Sequence, residues 1–146
     1  MSAVEINLAI GIKAPPQHVF DLLTDINRLP ELFAGFKDVR GYHGGDVQTG
    51  DRWTVITEFM GREIVNEYTV TRLKAPHHLA WDAISPQAQT SSAFEIQATD
   101  EGSRVVLNVV GRPRNIFASV GIGMVKETLK QGIVDDLKHI RTLLEA

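Results

Sequence analysis

The chain has 146 residues, of which 43% are hydrophobic and 23% are charged, and its formal net charge is −3. These values exclude an intrinsically disordered protein and are typical of one globular domain, so we expect residues 1–146 to form a single domain. Because the chain has no cysteine, a disulfide scaffold, a cysteine zinc site and a thiol nucleophile are excluded as well.

The chain begins with a predicted strand and two short helices. Hydrophobic residues occupy every second position of residues 4–13, which indicates a strand with one buried face. Pro15 and the proline after it end this strand, because proline donates no hydrogen bond to a strand ladder. The pattern that follows predicts short helices over residues 16–25 and 30–35.

A series of strands is predicted next, because segments rich in valine, isoleucine, threonine and aromatic residues alternate with turn residues. The connections are too short for a parallel crossover, which needs a dozen or more residues, so these strands pair antiparallel. With the first strand they make seven. The predicted segments are residues 36–43, 52–60, 62–73, 78–85, 89–99 and 103–112.

A long amphipathic helix is predicted over residues 115–145, where hydrophobic residues recur every three or four positions. This helix is available to cover the apolar face of the sheet. One helix of about 10 Å diameter cannot fill the concave side of a seven-stranded sheet. Large side chains, the two short helices or a cavity must fill the remainder.

The order of elements and several segments resemble the START-like superfamily, and within it the polyketide cyclase/dehydrase-like branch. The segments are APPQHVFDLLTD at residues 14–25, GDRW at 50–53, LKAPHHLAW at 73–81, and the hairpin 94–109. The resemblance implies an α+β helix-grip fold, in which a seven-stranded antiparallel sheet curves around a long C-terminal helix and two short helices follow the first strand. It also implies one START-like ligand-binding domain, whose relatives transport, sense, cyclise or bind hydrophobic molecules.

The resemblance implies that aromatic and aliphatic strand faces line the concave side of the sheet. We therefore expect Trp53 and Trp81 to point inward. The alternative for each residue is ordinary core packing. The predicted ligand-binding residues are Phe33, Trp53, Val55, Phe59, Asn66, Tyr68, Trp81, Phe94, Leu107, Val109, Phe117, Gly121 and Met124.

The strand at residues 62–73 permits two orientations. Periodicity places Asn66 and Tyr68 on the more apolar face, where both need hydrogen-bond partners. A shift of one residue would instead turn Glu67 inward, as a potential general acid or base. The catalytic residues, if there are any, stay unknown at this point.

Glycines in the long helix indicate room beneath it. Gly121, Gly123 and Gly132 each cost roughly 1 kcal/mol relative to alanine in a helix interior. They leave space for a ligand, let the helix bend, or permit close packing on the short helices. We expect a cavity of about 300–1,000 Å³ between the sheet and residues 116–133.

No motif indicates a metal or a cofactor, so we expect neither. His77 and His78 are neighbours in an extended segment and point to opposite faces, and no His-x-x-x-His spacing occurs. No Gly-x-Ser-x-Gly motif of a nucleophilic serine is present. The short basic segment Arg112-Pro113-Arg114 is solvated or lies at a cavity mouth, where it would attract an anionic group.

These patterns favour a protein that binds a hydrophobic small molecule, a lipid, polyketide or aromatic compound, as a carrier or sensor. The alternatives are a polyketide cyclase/dehydrase-type enzyme and a protein-interaction domain with a collapsed cavity. Lysine and arginine are scattered, so no nucleic-acid partner is expected. No apolar run approaches the roughly 18 residues of a membrane span, and no secretory signal is visible, so we expect a cytoplasmic protein without stable membrane insertion. We expect it to be a monomer or a homodimer.

Overall fold

The computed structural model describes residues 3–59, 61–113 and 122–146, with the backbone alone for Phe59, Ile122 and Gly123. Within these residues the chain forms a seven-stranded sheet, three α-helices and one 3₁₀ turn. The elements in chain order are β1 (Val4–Ile12), α1 (Pro16–Leu23), the 3₁₀ turn (Ile26–Arg28), α2 (Leu29–Leu32), β2 (Phe36–Arg40), β3 (Arg52–Phe59), β4 (Arg62–Lys74), β5 (His78–Ile84), β6 (Ala88–Thr99), β7 (Gly102–Pro113) and α3 (Ile122–Glu145).

All neighbouring strands are antiparallel, in the order β1-β7-β6-β5-β4-β3-β2. Strands β2 to β7 form a meander, and β1 joins it beside β7, the last strand. The short helices α1 and α2 carry the chain from the β1 edge to the β2 edge. The predicted helix-grip fold, with its antiparallel sheet and long C-terminal helix, is confirmed.

The predicted element boundaries differ from the observed ones at a few places. Strand β2 ends at Arg40 rather than at residue 43, because Gly41 has φ 79°, a left-handed conformation that a strand cannot continue. Helix α1 ends at Leu23, and a 3₁₀ turn leads into α2. The predicted start of the long helix, at residues 115–121, lies outside the described residues.

Strand β4 takes the orientation that periodicity predicts. Ile64 and Tyr68 are buried, whereas Val65 is 54% exposed. Glu67 lies on the outer face, where its carboxylate accepts a hydrogen bond from the Thr54 hydroxyl at 2.9 Å. The alternative orientation, with Glu67 inside as a general acid or base, is therefore wrong.

A β-bulge in β4 changes the alternation near the end of the strand. Val70 pairs with Trp81, but the next pair is Arg72 with Ala80, so β4 contains one extra residue here. Because of this extra residue, Leu73 packs against the core although it is odd-numbered and the inward residues before it are even-numbered. The bulge thus turns Leu73 toward the core near the end of β4.

One half of the concave face is densely filled. Leu79, Ile96 and Val105 are almost completely buried there. Leu137 and Ile140, from the C-terminal half of α3, belong to the same continuous core. Helix α3 also packs against β1 and α2, so its C-terminal half closes this end of the molecule.

The turn between β6 and β7 anchors the chain where it leaves β1. Gly102 has φ 147°, and a Cβ there would lie 2.5 Å from the carbonyl oxygen of Ile12, so only glycine fits. The buried hydroxyl of Ser103 donates a hydrogen bond to the carbonyl oxygen of Ala14 at 2.6 Å. Among the described residues, no helix has the length and hydropathy of a membrane span.

Candidate functional site

A cavity of about 440 Å³ lies between the sheet and the N-terminal half of α3. Its volume falls within the range predicted from the sequence, and its position agrees with that prediction. Helix α3 contributes Val125, Leu129, Gly132 and Ile133 to the wall, and the residues after α2 contribute Phe33. Gly132 is exposed, and an added Cβ there would meet no heavy atom within 4 Å, so close packing on the short helices does not explain this glycine.

The cavity forms where the inward side chains of the sheet become small. Ala83 at the end of β5 and Ser85, directly after this strand, face inward, as do Thr90 and Ser92 near the start of β6. Gly111 on β7 contributes no side chain at all. Toward the other end of the same three strands, the inward positions carry large side chains, namely Leu79, Trp81, Phe94 and Leu107.

The structure brings several of the predicted site residues together around this cavity. They come from the segment after α2 and from strands β4, β5, β6 and β7, so they are adjacent only in the folded chain. The predicted residues that border the cavity are Phe33, Asn66, Tyr68, Trp81, Phe94, Leu107 and Val109.

The other predicted site residues do not border it in the described part of the chain. Trp53 and Val55 are buried on the concave face, but they are not in the cavity wall. Phe117 and Gly121, as well as the side chain of Phe59, lie outside the described residues.

The prediction that Met124 belongs to the cavity wall is wrong. Its side chain is 60% exposed, whereas the neighbouring Val125 is buried and borders the cavity. Successive residues of an α-helix are turned by about 100°, so a helix that presents Val125 to the cavity turns Met124 toward solvent.

Trp53 lies beneath the cavity wall in an aromatic cluster. Its ring stacks on Tyr68 with centroids 5.7 Å apart, and it meets Trp81 edge-on at 6.0 Å. Both tryptophans point inward, as predicted, and are 2% and 3% exposed. The buried indole N–H of Trp53 has no hydrogen-bond partner among the described residues, so the cluster is held by ring packing.

The orientation of the Asn66 side chain follows from its hydrogen bonds. Its Nδ2 lies 2.9 Å from the Thr57 hydroxyl oxygen and 3.2 Å from the carbonyl oxygen of Ile64. A carbonyl oxygen only accepts hydrogen bonds, so the amide NH₂ group must face these atoms. The Oδ1 atom is therefore the acceptor that Asn66 can offer to the cavity, which it borders.

Tyr68 places a phenol in the wall of the cavity. Its side chain is only 8% exposed, and burial raises the pKa of Tyr68 above its ordinary value. No hydrogen bond to its hydroxyl occurs among the described residues. The neutral hydroxyl is thus available as a hydrogen-bond donor or acceptor within the cavity.

Asp136, a residue that the sequence analysis missed, also borders the cavity. Burial raises the pKa of its carboxyl group, although a hydrogen bond from the Ala34 N–H at 3.1 Å opposes the shift. The helical spacing could have indicated this position, because Asp136 follows Gly132 by four residues and Ile133 by three. The small polar residues Thr90 and Ser92 were missed too, although they continue the alternation from Phe94.

The described residues contain no group of three His, Cys, Asp or Glu side chains that could hold a metal ion. The charged residues Glu58 and Arg112 reach the cavity boundary, but each is at an outward position of its strand and is exposed. Asp136 is thus the ionisable carboxyl group that the described part of the wall presents at an inward position. The arrangement combines an apolar wall with a few hydrogen-bonding groups.

Comparisons with known proteins agree with this architecture. The family described as polyketide cyclase / dehydrase and lipid transport matches residues 3–145. No curated protein sequence matches the chain.

Solved structures with the same fold include a START superfamily protein from Mycobacterium smegmatis, with a TM-score of 0.81 and 11% identity over 97% of both chains. The Zhui aromatase/cyclase from Streptomyces sp. R1128 has a TM-score of 0.81 and 14% identity over 99% of this chain and 94% of that one. A conserved protein from Geobacillus kaustophilus has a TM-score of 0.82 and 17% identity over 96% and 94%. Identities this low show a shared fold alone. Since the family match extends over nearly the whole sequence, the chain belongs to the polyketide cyclase / dehydrase and lipid transport family.

Proposed function

We propose that this protein binds a hydrophobic small molecule in the cavity beneath α3, as a carrier or sensor. The observation that carries the proposal is the 440 Å³ cavity, which has a mostly apolar wall and lies between the sheet and the helix. Cavities of this size enclose drug-sized ligands, and a few polar groups among apolar walls usually orient them. The cavity is open, whereas the protein-interaction alternative assumes a collapsed one.

A cavity-filling variant tests the proposal. Gly111 is buried in β7, borders the cavity and has no heavy atom within 4 Å of an added Cβ. The Cβ of a valine at this position has free space, its two methyl groups would occupy cavity volume, and its branched side chain suits a strand. Gly11 offers the matched control, because it lies on the exposed side of β1 and also has free space around its Cβ.

The probe is N-phenyl-1-naphthylamine, an uncharged apolar dye whose fluorescence rises when it leaves water. We expect the native protein and Gly11→Val to bind the dye with the same affinity, and Gly111→Val to bind it several-fold more weakly while remaining folded. Equal dye affinity for all three proteins, or no binding by the native protein, would contradict the proposal.

A second candidate is an enzyme of the cyclase/dehydrase type, and Asp136 is the observation that favours it. A partly buried carboxyl group with a raised pKa, at the edge of a cavity, suits general acid–base catalysis. Its carboxylate would remove a proton from the carbon between two ketone groups, and the resulting enolate would be reprotonated on oxygen. Asn66 and Tyr68 would orient the ketone oxygens or the enol.

Proton exchange distinguishes the enzyme from the carrier. For an enzyme, we expect the native protein to accelerate exchange of the methylene protons of benzoylacetone with D₂O, followed by NMR, and Asp136→Asn to lose this acceleration. A carrier would bind the diketone without accelerating its exchange. Glu127→Gln removes an exposed charge on the same helix, away from the cavity wall, and serves as the control.

A further inference from the structure

The Tyr68 hydroxyl carries the first step of an inference about the ligand. The side chain of Tyr68 is 8% exposed and borders the cavity, and its hydroxyl has no hydrogen-bond partner among the described residues. When a ligand displaces water from the cavity, this hydroxyl loses its contact with water, which costs free energy unless the ligand pairs with it. The phenol can donate to, or accept from, a polar group of the ligand.

Asn66 adds a requirement of a different kind. Its NH₂ group is engaged by the Thr57 hydroxyl and by carbonyl oxygens, so the group left for a ligand is Oδ1, which only accepts. Asn66 and Tyr68 are two residues apart on the same face of β4, so their Cα atoms are separated by roughly 7 Å. A ligand that satisfies both groups must carry a hydrogen-bond donor, which an ionised carboxylate lacks.

The charged groups around the cavity also favour an uncharged ligand over an anion. Asp136 borders the cavity. Its carboxyl group accepts a hydrogen bond from the N–H of Ala34, which lies 102 residues earlier in the chain. Arg112 leaves the sheet on the face opposite to Gly111 and Pro113, and its side chain is exposed. At its inward positions, the described wall therefore presents the Asp136 carboxyl group together with neutral hydroxyl and amide groups, and an ionised Asp136 would repel an anionic ligand.

We infer that the ligand is an uncharged apolar molecule that carries a hydroxyl or another hydrogen-bond donor, and that the cavity discriminates against carboxylate anions of the same size. This inference rests on the proposed function and specifies the ligand class for the same cavity. A hydroxyl group meets both requirements, because it donates to Asn66 Oδ1 and accepts from, or donates to, the Tyr68 hydroxyl.

Three ligands with the same bicyclic frame test the inference by isothermal titration calorimetry at neutral pH. They are 2-naphthol, which is neutral and donates a hydrogen bond, 2-naphthoate, which is an anion, and 2-methylnaphthalene, which forms no hydrogen bond. We expect 2-naphthol to bind at least about tenfold more tightly than 2-naphthoate, since 1.4 kcal/mol corresponds to a factor of ten. We expect 2-methylnaphthalene to bind more weakly than 2-naphthol.

Two variants assign the discrimination to named groups. Tyr68→Phe should weaken the binding of 2-naphthol by about three- to tenfold, which is the usual effect of one hydrogen bond. It should leave the binding of 2-methylnaphthalene unchanged. Asp136→Asn removes the charge but keeps an oxygen that can accept the hydrogen bond from the Ala34 N–H. This variant should strengthen the binding of 2-naphthoate and leave the binding of 2-naphthol unchanged. Glu127→Gln removes an exposed charge on the same helix, away from the cavity wall, and should change the binding of neither ligand.

The outcomes separate this inference from the proposed function. If the dye and all three naphthalenes bind equally well, the cavity binds hydrophobic molecules but the inferred ligand class is wrong. The ligand class is also wrong if 2-naphthoate binds as tightly as 2-naphthol, or if Tyr68→Phe leaves 2-naphthol unchanged. If neither the dye nor any naphthalene binds, both the proposed function and this inference fail.

Discussion

At the scale of single residues, the hydroxyl groups of two buried residues show how a hydrogen-bond partner changes the effect of removing a hydroxyl. The Ser103 hydroxyl donates to the carbonyl oxygen of Ala14, whereas the Tyr68 hydroxyl has no partner among the described residues. Removing one half of a buried hydrogen bond leaves the other half unsatisfied and costs about 1–3 kcal/mol. Removing a hydroxyl that has no partner carries no such cost.

The two hydroxyls therefore predict opposite outcomes. Ser103→Ala should lower the free energy of unfolding by about 1–3 kcal/mol, and Tyr68→Phe should leave it unchanged or raise it slightly. Urea denaturation of the native protein and both variants measures the difference. A loss for Tyr68→Phe as large as that for Ser103→Ala would mean that the tyrosine hydroxyl has a structural partner.

Asp136 predicts a pH dependence of stability. The pKa of this carboxyl group is raised above its ordinary value of 3.8, mainly because the group is partly buried. A carboxyl group whose pKa is higher in the folded than in the unfolded state favours folding most below the unfolded-state value. That contribution is lost as the pH rises through the folded-state pKa. The stability of the native protein should therefore fall, relative to Asp136→Asn, as the pH rises from 3.8 toward neutrality.

Urea denaturation at several pH values measures this difference. Asparagine can still accept the hydrogen bond from the Ala34 N–H, so the comparison isolates the titrating proton. Parallel stability profiles for the two proteins over this range would show that the folded structure does not raise the pKa of Asp136.

At the scale of elements, helix α3 has two halves with different roles. Its C-terminal half supplies Leu137 and Ile140 to the continuous core, and its N-terminal half borders the cavity through Val125 and Leu129. The apolar periodicity predicted one helix and its inward stripe, because the period is a property of neighbouring residues. It could not show that the stripe covers filled core at one end and a cavity at the other.

Leucine truncations in α3 test this division. Leu137 is 4% exposed, and Leu137→Ala should cost about 2–5 kcal/mol of the free energy of unfolding, as for other buried leucines. Leu143 is 40% exposed on the same helix, so Leu143→Ala is the matched control and should cost much less. Thermal or urea denaturation gives both values, and similar losses for the two variants would contradict the assigned helix orientation.

At the scale of the whole molecule, the cavity links ligand binding to stability. A ligand that binds only the folded state, at a concentration one hundred times its dissociation constant, stabilises that state by about 2.7 kcal/mol. We expect N-phenyl-1-naphthylamine at that concentration to raise the denaturation midpoint of the native protein and of Gly11→Val. The same dye concentration should raise the midpoint of Gly111→Val less, and equal shifts for both variants would argue against binding in this cavity.

Much of this architecture was predictable from the sequence. Alternation and turn residues predicted the seven strands and their antiparallel pairing, and the period of residues 115–145 predicted the long helix. They succeed because the side chains that share one face of a strand or helix follow from local geometry. The same alternation grouped the residues that share a strand face, and the family resemblance implied that the faces of Trp53 and Trp81 are the inward ones, as they are. For Tyr68, the alternation favoured the inward orientation but left a second one open.

The tertiary structure decided where those faces enclose empty space. The cavity depends on small residues that several strands bring together, such as Ala83, Ser92 and Gly111, and no single segment shows that their sum leaves 440 Å³ unfilled. The environment of Asp136 depends in the same way on Ala34, 102 residues earlier in the chain. Packing volume and desolvation are sums over residues far apart in sequence, whereas periodicity reports only on neighbours, so the sequence determined the elements and their faces and the folded chain determined the site.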